Sequence, residues 1–271
     1  MPVGNLSASL ARCYERLLAV VAANPGWVAF SGGVDSTLVL KAANEVNSLP
    51  VMALFADSPL QSEFDRDHVK RLADQLGWQL VAVPFDPLAW PEFTANPGDR
   101  CYLCKKAIYS RFLTLLPIGA GLLDGTNGDD CGAVRPGYRA VVELGVVSPL
   151  VVAGLPKSEV RQLARWLGLP NWNRPSSSCL ATRIPEGVKI SENLLRRIEV
   201  CEALVRRHVL GHIRVRLVGG RPDDLVVELA KEEIARADFS VIGVRIREDL
   251  ERLLVRDVIF SGREKVFLGQ Y

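Results

Sequence analysis

A chain of 271 residues with 48% hydrophobic and 24% charged residues has enough apolar material for one large domain and a smaller one, which excludes a disordered or low-complexity protein. Thirty-three Lys and Arg against 31 Asp and Glu leave a net charge of +2, so bulk electrostatics make no case for a nucleic-acid partner. No run approaches the roughly 18 apolar residues that cross a bilayer, and the first residues lack the order of a secretory signal; the expected compartment is the cytoplasm, with no membrane partner.

Residues 10–23 read as a helix ended by Asn24-Pro25-Gly26, and Trp27-Val28-Ala29-Phe30 as a buried strand entering a glycine pair. Residues 36–44 suit a helix and 51–55 a second buried strand. Residues 62–76 suit a helix whose Val69, Leu72, Ala73 and Leu76 share one face, with Ser62 as N-cap and Gly77 as stop. A strand at 80–83, a helix at 102–115, a strand at 122–124 and a helix at 158–167 continue the alternation. That order predicts an α/β fold, a parallel sheet with helices on both faces, whose ligands sit at the carboxyl ends of its strands.

Residues 170–187 are rich in Pro, Ser and Asn, lack a steady period, and read as a functional loop. Beyond it come a helix at 191–208 with Leu194, Ile198, Cys201 and Val205 on one face, strands at 213–218 and 225–229, a helix at 244–254 and a strand at 257–260. The expected division is a domain of residues 1–184 and a small α/β domain of residues 185–271.

Ser31-Gly32-Gly33-Val34-Asp35-Ser36 lies between a strand and a helix, where a phosphate-binding turn has physical sense. Gly32 and Gly33 let the backbone approach oxyanions, Ser31 and Ser36 add hydroxyl donors, and the helix N-terminus adds a favourable field. Asp35 would repel bare phosphate, so its expected role is through Mg²⁺. The segment lacks the Gly-Lys-Ser/Thr of a Walker loop and instead resembles the SGGxDS motif of the PP-loop ATP pyrophosphatases, which implies ATP as substrate.

Asp124-Gly125-Thr126-Asn127-Gly128-Asp129-Asp130 follows another buried strand and should emerge at the same sheet edge, where Gly125, Thr126 and Asp129 would meet the nucleotide and the carboxylates could hold Mg²⁺ or orient substrate. By the same topology Ala29, Phe55 and Asp57, at the ends of their strands, would line the adenine and ribose side.

Cys101 and Cys104 stand three residues apart at the start of a helix, hence on one face. The pair reads as half of a zinc site, a redox dithiol or two ligands of an iron–sulfur cluster. There is no second C-x-x-C, and His68, His208 and His212 have no ligand-like spacing, so a four-ligand zinc site is not expected. Cys179, in the serine-rich loop, is the candidate third thiolate. Three protein ligands on a 4Fe-4S cluster would leave one iron open to carry an extra sulfide. Cys13, Cys131 and Cys201 read as small apolar residues.

SGGVDS, RCYLCK, DGTNGDD, Arg135-Pro136-Gly137, Ser148-Pro149-Leu150, GLPKSEVRQLARWLGLP and SSSCLATRIPEG, in that order, resemble the LarE family of PP-loop sulfur transferases over essentially the whole first domain. The resemblance implies sulfur insertion in the synthesis of the nickel-pincer nucleotide cofactor of lactate racemase. ATP adenylates a carboxylate of pyridinium-3,5-biscarboxylic acid mononucleotide, and sulfur then displaces AMP to give a thiocarboxylate. Some members give up the sulfur of the cysteine matching Cys179; others carry three cysteines, and this chain resembles the second type. Ile213-Arg214-Val215-Arg216 resembles the family's RVR segment, which places Arg214 and Arg216 on one side of a strand, suited to a substrate phosphate or carboxylate. Glu202 and Glu233 correspond roughly to family carboxylates, although the surroundings of Glu233 depart from the pattern. A sulfur donor and assembly as a homo-oligomer are implied by the same analogy.

In the expected mechanism the substrate carboxylate attacks the α-phosphorus, a sulfur nucleophile attacks the acyl-adenylate, and Arg183 or Lys105 steadies charge on the oxygens. The rival expectations are a PP-loop tRNA thiolation enzyme, which would need a basic surface and further cysteines, and a nucleotide- and cluster-binding sensor without turnover.

Overall fold

Apolar segments too short for helices and bounded by turns pair as a parallel sheet. β1 (Gly26–Ala29), β2 (Ala53–Asp57), β3 (Leu80–Pro84) and β4 (Gly121–Leu123) lie in the order β3-β2-β1-β4, with Val28 opposite both Ala53 and Leu123. The computed structural model describes residues 7–129, 136–218, 224–253 and 257–263. Side chains of successive strand residues point to opposite faces, so Val28, Ala53, Phe55 and Leu123 enter one core while Leu54, Ala56 and Leu122 enter another.

The first core is covered by α1 (Ala8–Ala23), α2 (Val34–Val46) and α3 (Glu63–Leu76). Helix α1 is capped by the Ser7 side chain and buries Leu10, Tyr14, Leu17 and Val21 at helical spacing. Helix α3 starts at the Ser62 cap and ends at Gly77, as expected, with Val69, Leu72 and Ala73 inside. The opposite core is covered by α4 (Arg100–Leu113) and α5 (Pro136–Glu143), through Tyr109, Phe112 and Val141. Helix α6 (Lys157–Trp166) packs on α2.

The chain moves outward from β1 through β2 to β3, and β4 then pairs on the other side of β1. This reversal opens a crevice at the carboxyl ends of β1 and β4, where ligands of such sheets bind. Both expected nucleotide motifs leave the sheet there.

A second sheet contains β5 (Ile213–Leu217), antiparallel to β6 (Asp224–Ala230), which is parallel to β7 (Asp257–Arg263). Ile213, Val215 and Leu217 are buried against Leu195, Ile198, Cys201 and Val205 of α7 (Glu192–Val205) and against α8 (Phe239–Glu251). Leu195 occupies the buried position expected for Leu194. The same core takes in Leu60, Phe93, Leu180, Ala181 and Ile184, so it reaches back to the loop that carries Cys179. One-turn helices at Pro91–Thr94, Pro149–Val152 and Lys231–Ile234 were not expected from the pattern.

Candidate functional site

The glycine turn is built to leave its helix end open. Gly33 is the N-cap of α2 and gives no side-chain cap, so the first N–H groups of the helix face the crevice without an internal partner from the cap. Gly32 has φ +71°, and a Cβ there would lie 2.8 Å from Val69 Cγ2. Glycine is required both by the backbone conformation and by the neighbour. Ser31 and Ser36 bring their hydroxyls within 3.2 Å of each other across the turn. From outside, buried Asn171 donates to the Gly32 carbonyl and to Thr37 Oγ1, both at 2.9 Å, and His68 Nε2 donates to the same carbonyl at 3.1 Å.

The second motif packs directly on the first. A Cβ at Gly125 would fall 2.6 Å from the Ser36 nitrogen, so the α2 N-terminus and the 124–129 turn touch backbone to backbone. Beside it Asp124, 1% exposed, accepts hydrogen bonds from Ser148 Oγ (2.7 Å), the Thr126 amide (3.0 Å) and hydroxyl (2.6 Å), Tyr109 (3.0 Å) and Lys105 Nζ (3.2 Å). Burial alone would raise its pKa, but Lys105 and the hydroxyl donors outweigh burial and hold the carboxyl below its ordinary range. Its oxygens are committed to these donors, so Asp124 positions Lys105 and not a metal. Asp129 accepts the Lys157 amide at 3.0 Å at the start of α6, and the Lys157 ammonium contacts Asp35. Asp35 and Asp129, hard oxygen donors gathered around Lys157, fit Mg²⁺. Asp130 and Cys131 lie outside the described residues.

Cys101 and Cys104 are on the first turn of α4, the helix that also carries Lys105. Cys101 is exposed, whereas Cys104 and Cys179 are half-buried and pack against the second core. Burial raises the Cys104 thiol most, and Cys179 and then Cys101 raise it further. Cys179 is raised by burial and then by Cys101, with Arg100 opposing. Among the described residues no group of three His, Cys, Asp or Glu side chains is compact enough to hold a single metal ion. A polynuclear cluster spreads its ligands over several irons, and thiols at the start of α4 and on the 179 loop, with Cys104 and Cys179 packed against the same core, are the donor type that such a cluster takes. Cys13 and Cys201 are buried apolar residues.

The loop at 170–187 folds back over the sheet edge. Arg174 (2.6 Å) and Ser177 (2.9 Å) bind the Asp65 carboxylate, and the Leu180 amide donates to Leu60 O at 2.7 Å. Arg183 and Glu202 were expected to face reacting oxygens and substrate. They are instead a buried pair, both 3% exposed, joined at 2.8 and 3.3 Å, and Arg183 Nη1 is taken up by the Ser178 and Cys179 carbonyls. Arg216 is likewise committed, to Glu228 at 2.7 Å and to the Thr182 carbonyl at 2.5 Å. Arg214 is on the same side of β5 and lines a cleft of about 240 Å³ with Phe64, Arg174, Ser177 and Arg206. Glu233 pairs locally with Arg236 at 3.1 Å. Phe55 is 1% exposed with its ring in the core, so only its backbone can meet a nucleotide. Ala29 and Asp57 end their strands at the carboxyl edge, and Asp57 lies 3.6 Å from Arg66.

No protein-family model matches the chain. It is 35% identical over 234 residues to the pyridinium-3,5-bisthiocarboxylic acid mononucleotide synthase of Lactiplantibacillus plantarum, covering 85% of this chain and 83% of that protein. The chain belongs to the LarE family. It is also 39% identical over 194 residues to an uncharacterized Synechocystis protein, covering 70% of this chain and 71% of that one. The glutamine-hydrolyzing GMP synthase of Aeropyrum pernix is 30% identical over 204 residues, 67% of this chain and 39% of that enzyme.

For a LarE-family chain, several residues at the site carry no signal in isolation. Lys157 sits inside a segment whose motif is legible and Asn171 just after it, but their partners, Asp35 and Gly32, are 122 and 139 positions away. Tyr109 reads as an ordinary helix aromatic; only its bond to Asp124 marks it. The basic residue in GLPKSEV is the one hint that the sequence offers.

Proposed function

We propose that this chain is an ATP-dependent sulfur transferase that adenylates a carboxylate of a pyridinium-biscarboxylate mononucleotide and replaces its oxygen by sulfur. The observation that carries the reading is the succession of neighbouring elements from the glycine turn to the cysteines. The glycine turn touches Gly125, the adjoining Asp124 holds Lys105, and Lys105 follows Cys104 on α4, where the Cys104 side chain packs against the same core as Cys179.

In this reading the amides of the 31–36 turn, with Ser31 and Ser36, bind the triphosphate, and Lys157 offers its ammonium. Mg²⁺, taken by Asp35, would neutralise the phosphate charge. The substrate carboxylate attacks the α-phosphorus, the bond to pyrophosphate breaks, and a mixed anhydride with AMP forms. Lys105, fixed by Asp124 and Thr126, steadies charge on the acyl oxygen. A sulfur nucleophile adds to the carbonyl carbon and AMP leaves. A 4Fe-4S cluster held by Cys101, Cys104 and Cys179 would supply an exchangeable sulfide, so that the protein is not consumed. Arg214 and the arginine-lined cleft take the substrate's phosphate or second carboxylate. Residues 1–184 act as the nucleotide-activating unit and 185–271 as the substrate-side unit. Homo-oligomeric assembly and a cytoplasmic setting, where thiols stay reduced, belong to the same proposal.

The test is pyrophosphate release by the anaerobically reconstituted protein, with ATP, Mg²⁺ and the carboxylated nucleotide. Release that needs the nucleotide is expected; its absence sinks the proposal. Iron counting after Cys101→Ala, Cys104→Ala and Cys179→Ala tests the ligands, and unchanged iron in all three rules them out. Mass spectrometry after turnover should find an intact chain, whereas dehydroalanine at 179 would indicate a sacrificed cysteine.

A further inference from the structure

Cys179 is the N-cap of a one-turn 3₁₀ helix, Leu180–Arg183, and such a turn has little regular structure of its own to fix a sulfur. Its backbone is nevertheless held from both sides. On the side of the first sheet, the Leu180 amide donates to Leu60 O at 2.7 Å. On the other, Arg183 folds its guanidinium back over the turn, with Nη1 2.8 Å from Ser178 O, 2.7 Å from Ser178 Oγ and 3.2 Å from Cys179 O. Arg216, from β5, reaches Thr182 O.

The aim of Arg183 is set from the second unit. Its Nε and Nη2 meet the two oxygens of Glu202 on α7, and Glu202 Oε1 also accepts the Val215 amide of β5 at 3.0 Å. The pair is 3% exposed on each side. Two ionised groups at such depth are costly unless their hydrogen bonds are filled, and here they are. A planar fork that binds a carboxylate with one edge and two carbonyls with the other has a single orientation.

We propose that Arg183 and Glu202 are positioning residues for Cys179, through which α7 and β5 fix the backbone of the sulfur-bearing turn. The proposal rests on the assignment of Cys179 to the sulfur chemistry only for its purpose; the clamp itself is a property of the protein without ATP, substrate or iron. Sites that hold a reacting atom need placement to a fraction of an ångström, and loops give this only when their support is itself locked.

The experiment is alkylation of the iron-free, reduced protein by iodoacetamide at constant pH, read peptide by peptide in a mass spectrometer. Cys101, already exposed, is the internal reference. Arg183→Lys keeps a cation for Glu202 but cannot reach the carbonyls at the same time, so Cys179 should react about tenfold faster or more, in line with loss of hydrogen bonds to a charged group, while Cys101 is unchanged. The double variant Arg183→Met/Glu202→Met removes both charges together, which buried pairs tolerate far better than loss of one partner, and should keep a cooperative melt while showing the same release of Cys179. The iron bound per chain after reconstitution should fall in both. Folded variants whose Cys179 reacts at the parent rate relative to Cys101 would overturn the clamp and leave the sulfur-transfer reading standing. Normal clamping with no substrate-dependent pyrophosphate would do the reverse. If Arg183→Lys melts like the parent and Cys179 is released only in the double variant, the carbonyl contacts are not what holds the turn, and the proposal also fails.

Discussion

The ammonium of Lys157 contacts the carboxylate of Asp35, which joins the start of α6 to the first turn of α2 across 122 residues of sequence. The pair is mostly shielded, with side chains 13% and 19% exposed, and it stands at the mouth of the phosphate turn. An ammonium there offsets the Asp35 charge, which would repel a triphosphate. Lys157→Met should therefore raise the KM for ATP by roughly tenfold to a hundredfold, the range for losing a charge-assisted contact. Initial rates of pyrophosphate release at graded ATP check this. An unchanged KM would mean that Lys157 serves only the packing of α6.

Gly125 is the point where the two nucleotide motifs meet. A methyl group there would sit 2.6 Å from the Ser36 nitrogen and 2.9 Å from its Cα, both of which are backbone and cannot turn aside. Gly125→Ala should push the α2 N-terminus away from the crevice, destabilise the fold by about 1–3 kcal/mol and abolish tight ATP binding. Urea unfolding and nucleotide titration measure the two effects separately.

Features determined within a few residues are legible in the sequence. The Ser62 cap, the Gly77 stop, the glycine turn and the alternation of strands and helices all depend on near neighbours. What the sequence hides depends on distant ones. Strand β2 begins at Ala53 instead of residue 51 because its start is set by pairing with β1 and β3, while the Val51 amide goes to Asn44 Oδ1. Helix α8 begins at Phe239, ahead of the expected 244, and Gly243 lies inside it with the rings of Phe260 and Phe239 against the space of its missing side chain. Arg183 and Glu202 have the residue types of a binding site. Only their mutual burial shows that they face each other.

Asn171 belongs to that second group. It is 3% exposed, and its amide donates to both the Gly32 carbonyl and Thr37 Oγ1. Asn171→Ala would leave a buried hydroxyl and part of a turn carbonyl without a donor, a loss of about 1–3 kcal/mol. Because the carbonyl belongs to the left-handed Gly32, ATP affinity should weaken as well. Chemical unfolding of the parent and the variant without nucleotide gives the first quantity, and a result within error of zero refutes the contact.

His68 offers a titration at the same carbonyl. Burial, and then the nearby Arg174, lower its pKa below the ordinary imidazole value, while the bond to Gly32 O opposes them. The unfolded chain therefore takes up a proton at a higher pH than the folded one. In the interval between the two pKa values the unfolded state binds more protons, so stability falls as pH falls. The contribution of His68 is full above the unfolded pKa of about 6.5 and is lost progressively below it. His68→Gln keeps a side-chain N–H for the Gly32 carbonyl but cannot titrate. Urea midpoints of the parent should drop more steeply than those of the variant between about pH 7.5 and 5.5. Parallel curves would show that the imidazole is equally easy to protonate in both states, contrary to its placement beneath the phosphate turn.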